Sequence, residues 1–580
     1  MKDSDLDKMI AEVDINDDKV IEFSEYLKMM KSFISTGKET SFIKVTTKSG
    51  KNIFRVEGED NTSFSSFSEE ERSAFVRVIN IVLKDDEVCS KYLPIDPDTM
   101  DIFSVLKNGI ILCKLINKAQ PGTIDERVIN IKDNMNIFLM AENLKLALNA
   151  AKAIGCQIIN IFPETIIEEK YILILGLLWQ IIKEIVLGEI NLKKHPQLIR
   201  LLKEGEQLND LLKLHPEDLL LRWFNYHLVN AGYDKKINNF SSDVKDSEKY
   251  IILLNQLNKD LCDKSGLNET DPIKKSKIVL ENSKKIGVET YITAKDICDG
   301  NNKLNTLFAA AIFNHCHGLD PPTEEEEYEA AKLLSDDTEG SREERAFRMW
   351  INSLAINDLY ATNLYEDCRS GVLLLKVIDK IKPGSVEWKK VDEKTNNKFK
   401  KVINCNEAVD ASKRAGLNIV GIGGSDIHEA NKKYILAIVW QLMRSHTLQV
   451  IGNKSEDDLL KWANDLISAD PKVSSFKDKS LKNSLFFIRI MSAIEPRAIN
   501  WDIVVQDSDS DEALENNAKY AVSIARKLGA CIFLVWEDIK DIKSKMLMTF
   551  VAALYDVYLL EQKYKNEKKK VAGTNVGLDD

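Results

Sequence analysis

Helix breakers are scarce in this chain: 12 prolines and 25 glycines among 580 residues leave little room for extensive disorder and favour helix as the main element. Paired cysteines are missing as well. The nine cysteines are odd in number, scattered and without any CxxC spacing, so neither a disulfide framework nor a zinc knuckle is supported and a reducing compartment fits best. No GxSxG, HExxH or Cys/His pairing with a supporting carboxylate occurs, and the seven histidines are dispersed, which speaks against an enzyme. The longest apolar run, Tyr171 to Leu178, is far too short to cross a bilayer. The Asp-rich N-terminus also lacks the basic-then-apolar pattern of a signal peptide. These features predict a cytoplasmic protein without membrane insertion. A net charge of −11 argues against general nucleic-acid affinity, so an acidic partner has to be met by a local basic patch.

What is present is duplication. Leu-Gly-Leu-Leu-Trp-Gln-Ile-Ile-Lys at Leu175 to Lys183 returns as Leu-Ala-Ile-Val-Trp-Gln-Leu-Met-Arg at Leu436 to Arg444, with Trp179 and Trp440 separated by 440 − 179 = 261 positions. Gly155 and Gly416, each ending a Lys-bearing phrase, keep the same offset, 416 − 155 = 261. Weaker echoes subdivide each block. An opening helix carries a central tryptophan in three quarters (Trp223, Trp350, Trp462), a middle apolar helix follows, and a Lys/Arg-rich helix ends at Gly155, Gly287, Gly416 or Gly529. Each quarter closes on a strongly apolar helix. Apolar residues at Phe347, Trp350, Ile351 and Leu354 follow the helical period rather than the strand period. The prediction is an all-α protein of four units, each of ordinary domain size.

Composition sets the boundaries. Residues 1–31 form a helix-loop-helix, and 32–67, rich in Ser, Thr, Gly and Lys with one β-like stretch at Phe42 to Thr47, read as a linker. Units are expected at 68–188, at 189–317 with a short helical connector in front, at 341–449 and at 450–564. Residues 318–340, with Pro321-Pro322 and a glutamate run, read as an acidic hinge, and 565–580 as a disordered tail.

The clearest ligand pattern lies at the front. Counted from Asp14, oxygen donors fall at positions 1, 3 and 5 (Asp14, Asn16, Asp18), the Val20 carbonyl at 7, Glu22 at 9 and Glu25 at 12, the spacing of an EF-hand calcium loop. Lys19 holds position 6, where glycine normally takes the sharp turn. A left-handed conformation there costs a non-glycine residue roughly 1–2 kcal/mol, which is about a tenfold loss of affinity. No sister hand follows. Two readings stand, a weakened calcium site or an acidic helix-loop-helix without metal.

Other candidates have plainer readings. Gly421-Ile-Gly-Gly-Ser-Asp lacks a following Gly-Lys-Ser/Thr and reads as a turn between helices rather than a phosphate cradle, which leaves little for a calcium-activated phosphotransferase. His315-Cys316-His317 offers metal-type ligands that do not converge on one helix end. Trp179 and Trp440 sit in helices apolar nearly all round and are expected in the core. Contact residues must then come from exposed positions on those helices (Lys170, Gln180, Lys183, Lys432, Lys433, Gln441, Arg444) and on the opening helices (Arg77, Asn80, Arg222, Arg348, Asn352).

With these residues in view the chain resembles the fimbrin or plastin family. The matching phrases include Thr123 to Asn130, Glu142 to Asn149, Lys236 to Ser241, Val420 to Gly424 and Asn516 to Ser523, spread over nearly the whole length. The resemblance implies four calponin-homology domains in two tandem pairs behind an EF-hand headpiece. It also implies actin filaments as partner, two filaments per chain, bundling modulated by calcium, and a monomer of the actin cytoskeleton. The contact surface it implies spans Phe75 to Leu83, Tyr171 to Ile185 and Leu219 to Leu228, then Phe347 to Leu354, Tyr434 to His446 and Leu459 to Leu466. Val78 departs from the tryptophan pattern of the other opening helices. The alternative is a scaffold in which one pair binds actin and the other makes intramolecular or other protein contacts.

Overall fold

The computed structural model describes residues 43–46, 52–57 and 64–573, apart from 336–337, 358, 469–471 and 509. The calcium-loop candidates Asp14, Asn16, Asp18, Val20, Glu22 and Glu25 lie outside the described residues. The chain divides into two compact units, residues 1–71 with 558–580, and residues 72–557.

The first unit contributes three short strands in the segment 32–67, the last ending at Ser68. Strands β1 (Ile43–Thr46), β2 (Asn52–Glu57) and β3 (Phe64–Ser68) form an antiparallel sheet in the order β1-β2-β3, with Val45 opposite Ile53 and Phe54 opposite Phe67. The physical reason is composition. Ile43, Val45, Ile53, Phe54 and Val56 are β-branched or aromatic, and the neighbouring strands supply the backbone partners that an isolated strand would lack.

Each helical quarter is built on four principal helices. The first has α1 (Glu69–Val82), α2 (Ile110–Ala119), α3 (Ile137–Ala153) and α4 (Tyr171–Leu187). The second has α5 (Pro216–Asn230), α6 (Glu248–Leu257), α7 (Pro272–Lys285) and α8 (Asn302–His315). The third has α9 (Thr338–Ser353), α10 (Val372–Ile381), α11 (Lys398–Arg414) and α12 (Lys432–Val450). The fourth has α13 (Glu456–Leu466), α14 (Leu485–Ile494), α15 (Asp511–Leu528) and α16 (Ser544–Gly573).

Two sequence expectations give way here. The acidic stretch 318–340 is largely helical, as Glu324–Ser335 and the start of α9. Four glutamates in a first turn favour the positive end of the helix dipole, and Arg200 clamps Glu326 through two bonds of 2.8 Å. The tail expected to be disordered from 565 instead continues α16 to Gly573, in keeping with a Lys/Glu run of good helix formers.

One fastener recurs in all four quarters. An asparagine of the opening helix receives a backbone N–H and returns its own amide N–H to the carbonyl of the same loop residue. The pairs are Asn80 with Ile95, Asn225 with Ile237, Asn352 with Ala361 and Asn464 with Val473, at 2.7 to 2.9 Å. Each bond contributes about 1 kcal/mol net, and an orphaned partner would cost more. A second asparagine bolts the Gly-ended helix to two loops in three quarters: Asn143 to the carbonyls of Asn108 and Asn130, Asn404 to those of Ser370 and Asp392, Asn517 to those of Asn483 and Val505. The middle helices α2 and α10 begin after Gly109 (φ +73°) and Gly371 (φ +78°), where a Cβ would lie 2.7 Å from Asn143 or Asn404. Ser247 and Ser484 take the same left-handed position before α6 and α14.

The odd and even domains of each pair meet through their closing helices. Between the pairs, α3 packs against α15 and α9. In that seam the Asp125 N–H donates to Ser523 Oγ (2.8 Å), Asn149 donates to the Arg526 carbonyl (3.1 Å), and Lys527 Nζ donates to the Val128 carbonyl (2.9 Å) and Asn130 Oδ1 (3.0 Å).

Candidate functional site

The two repeated tryptophans are half-buried, which corrects their assignment to the core. Trp179 stacks on Phe75 with ring centroids 6.1 Å apart, and Trp440 stacks on Phe347 at 6.2 Å. The other neighbour of each indole is a lysine from the even domain of the same pair: Lys303 Nζ lies 5.5 Å from the Trp179 ring and Lys545 Nζ 5.7 Å from the Trp440 ring. Both lysines are the second residue of their domain's closing helix, α8 or α16. A cation over an indole face contributes about 0.5–2 kcal/mol, so the repeated phrase joins two domains as well as packing one.

Two of the three opening-helix tryptophans, Trp223 and Trp350, sit in the core, and Trp462 is half-buried against Tyr555, ring centroids 4.8 Å apart. Trp223 is buried and its indole N–H donates to the His317 carbonyl at 2.7 Å. Trp350 is buried and donates to His446 Nδ1 at 3.4 Å, where burial holds the imidazole below its ordinary pKa range and therefore neutral. Val78 is buried in the first quarter.

Four of the residues expected at a contact surface work as internal fasteners. Asn80 and Asn352 belong to the loop clamps, and Asn352 is 1% exposed. Gln180 pairs with the Gln157 backbone (2.6 and 3.0 Å), and Gln441 pairs with the Asn418 backbone (2.8 Å twice), at the same offset of 261. Four others hold elements together, and Arg348 bonds within its own helix. Lys183 reaches Glu217 (2.7 Å) and Arg444 reaches Glu456 (2.8 Å), each tying the closing helix of an odd domain to the opening helix of the even one. Arg77 donates to the Tyr291 carbonyl (3.4 Å), Arg222 grips Glu206 with two bonds (2.6 and 3.2 Å), and Arg348 bonds Glu344 (2.9 Å). Lys170, Lys432 and Lys433 are exposed, Lys170 beside Glu168 at 3.6 Å and Lys432 over the Tyr365 ring at 5.6 Å.

Sequence reasoning missed an exposed apolar pair on each odd domain. Phe138 on α3 is 54% exposed and its counterpart Phe399 on α11 is 79% exposed; 399 − 138 = 261. Ile159 is 47% exposed and Val420 is 78% exposed, again 420 − 159 = 261. The signal was available: the period that related the tryptophans, applied to apolar residues just after a helix cap or in a glycine turn, finds both pairs. Lys398, Lys400 and Lys401 flank Phe399, giving a basic rim around an apolar point. Large exposed apolar side chains set in a polar surface mark contact sites more often than scattered ones do.

The plainer candidates stay plain. His315 Nε2 lies 2.8 Å from the Ile286 carbonyl, and the His317 carbonyl serves Trp223 and His227. Among the described residues no group of three or more His, Cys, Asp or Glu could hold a metal ion. The glycine turn at Gly421 leads directly into a short helix, Gly424–His428, whose first N–H is taken by Asn406 Oδ1 at 3.0 Å.

Four helical domains of this internal design define the class. The calponin homology (CH) domain matches residues 69–186, 214–318, 341–447 and 453–559. Across nearly the whole chain, the sequence is 41% identical over 559 residues to "Fimbrin-4" of Arabidopsis thaliana, covering 94% of this chain and 83% of that one. It is 40% identical over 577 residues to "Plastin-3" of Homo sapiens, covering 95% and 90%. The crystal structure of the actin-crosslinking core of Schizosaccharomyces pombe fimbrin superposes with a TM-score of 0.73 at 37% identity, covering 84% of this chain and all of that one. The chain belongs to the fimbrin and plastin family.

Proposed function

We propose that this protein binds actin filaments through each of its two tandem CH pairs and cross-links them into bundles, one monomer engaging two filaments in the actin cytoskeleton. The observation that carries this reading is the duplicated exposed surface, Phe138 with Ile159 and Phe399 with Val420, one copy on each pair. The named relatives, one of them an actin-crosslinking core, support it. No step of this function requires catalysis. Two sites in one chain gain from effective concentration, so moderate affinity at each suffices for a stable cross-link.

The test uses the full chain with Phe138→Asp and Phe399→Asp. Each single variant is expected to pellet with filaments at high speed yet lose most of the low-speed bundle pellet, and the double variant to lose both. Bundling undiminished in the double variant rejects the proposed surface. One observation favours a second reading, in which one pair is engaged inside the chain: α3 is packed against α15 and α9. In that case Phe399→Asp alone abolishes all pelleting.

Calcium belongs to the same proposal. Asp14, Asn16, Asp18, the Val20 carbonyl, Glu22 and Glu25 would supply the oxygen set that calcium requires, weakened by Lys19 at the turn. Calorimetry with the full chain is expected to show saturable calcium heat that Glu25→Gln removes. Flat traces at millimolar calcium exclude the site.

A further inference from the structure

Where the first, third and fourth CH domains converge, a cavity of about 100 Å³ is lined by Gln120 to Thr123, by Arg345 of α9, by Lys519, Val522 and Arg526 of α15, and by Phe533 to Glu537. Three cations and one carboxylate face it. Arg526 is 3% exposed. Its guanidinium donates to the Thr123 carbonyl (2.7 Å) and weakly to the Ile532 carbonyl (3.5 Å), and its Nε is buried without a partner. Arg526 has a second cation, Arg345, as its charged neighbour, whereas Arg345 also feels the carboxylates of Glu537, Asp538 and Glu344. Lys519 is held by Glu515 and lies 5.4 Å from the Trp536 ring.

A buried guanidinium without a counter-charge is costly, and two that feel each other cost more. Burial, together with their mutual repulsion in the case of Arg526, pushes both arginines down to about 10. The protein keeps one such group, Arg526, beside the half-buried guanidinium of Arg345 at one cavity. A volume near 100 Å³ holds about three waters at roughly 30 Å³ each, which suits a tetrahedral oxyanion and is too small for a nucleoside. Guanidinium groups match the oxygens of such an anion in geometry as well as charge.

We propose that this three-domain cavity binds a small oxyanion of the phosphate class, held between Arg345, Arg526 and Lys519, and that the bound anion staples α9 and α15 to the loop after α2. The anion offsets the excess of three cations over the single carboxylate of Glu537 in the lining. Because its contacts come from three domains, occupancy strengthens the closed arrangement of the core without altering the exposed surfaces on α3 and α11. The cavity reaches solvent at Pro121 and Gly122, both exposed, so the terminal phosphate of a small monoester is held in the same way as the free ion.

The test is calorimetry and thermal unfolding of the full chain in chloride, with millimolar inorganic phosphate in one arm and glycerol 3-phosphate in another, at matched ionic strength. Saturable phosphate heat and a rise in Tm are expected; a response in the second arm as well assigns the site to monoesters too, and its absence restricts it to the free ion. Arg345→Gln is expected to weaken phosphate binding at least about tenfold, the worth of one charge-assisted contact. In chloride alone it is expected to leave Tm unchanged or raise it, because it removes the repulsion that Arg345 exerts on buried Arg526. Lys519→Gln gives an independent reading if Arg345→Gln folds poorly. No saturable heat with phosphate, or an unchanged dissociation constant in both variants, overturns the proposal.

Discussion

Helices α3 and α11 are sister elements 261 positions apart, yet one is covered and the other bare. Their end glycines show it most directly. A Cβ on Gly155 would lie 2.7 Å from Met349 Sδ of α9, whereas one on Gly416 would meet nothing within 4 Å. Side chains follow the same division: Asn149 is buried and bonds α15, while its counterpart Asp410 is exposed. Ala153 is buried where its counterpart Arg414 carries a charge paired with Glu407 and Glu387. Duplication therefore preserved the fold of the unit and changed its outer face. Cover is written into a few positions of one copy, where small or neutral side chains replace charged ones.

The largest expected effect comes from crowding the start of the middle helix. The fourth domain carries Ser484 at the equivalent left-handed position, so a serine fits where the facing Gly-ended helix is already set to receive it; at Gly109 and Gly371 the facing helix has to be free to shift. Helix α11 has that freedom and α3, pinned by α9 and α15, does not. Gly109→Ser is expected to cost about 4 kcal/mol and Gly371→Ser about 2 kcal/mol, from overpacking and backbone strain. Hydrogen exchange should rise in α3 and α15 together for the first variant and stay within the third domain for the second. Equal costs would erase the distinction between the copies.

A smaller effect is expected from uncovering α3. Lys527→Met removes the bonds to the Val128 carbonyl and Asn130 Oδ1 and the ion pair with Glu142 (3.4 Å), a loss of about 2 kcal/mol with two acceptors left short. Amide exchange in residues 137–153 should move toward that of 398–414. No change there would mean that the seam does not protect α3.

The smallest is a pH effect confined to the covered side. Burial raises Asp538 to about 6 despite the Val535 N–H and Arg342 beside it, the guanidinium being 3.8 Å away, with Glu537 and Asp541 adding repulsion. The folded state holds this proton more tightly than the unfolded state, so stability is greatest below the unfolded value of 3.8 and declines as pH rises through about 6. Between those two values the slope approaches about 1.4 kcal/mol per pH unit. Asp538→Asn should flatten that part of the stability profile, and an unchanged slope would assign it to other carboxylates.

Much of the core was legible in the sequence because it rests on local pattern. The 261 period, the apolar closing helices and the Gly-ended helices all left periodic or punctuating residues. The contact residues were less legible. Gln180 and Gln441 look like surface glutamines on a helix wheel, and nothing local reveals that each fastens a backbone strap 23 residues earlier. The α3–α15 seam was invisible for a related reason: Asn149 and Arg526 are 377 residues apart, and a contact at that distance imposes no period. The segment 318–340 misled because Pro321-Pro322 and a glutamate run serve equally as a hinge or as the start of a helix.

The asparagine clamps set an order of assembly. They close loops of 15, 12, 9 and 9 residues, whereas the part of the seam made by α15 joins partners 377 to 403 residues apart. Closing about 400 residues instead of about 12 costs roughly 3 kcal/mol more in chain entropy. Each domain can therefore latch as soon as its own hundred residues exist. The outer face of α3 is then covered in two steps, α9 of the third domain closing over its Gly155 end and α15, made later, covering the rest.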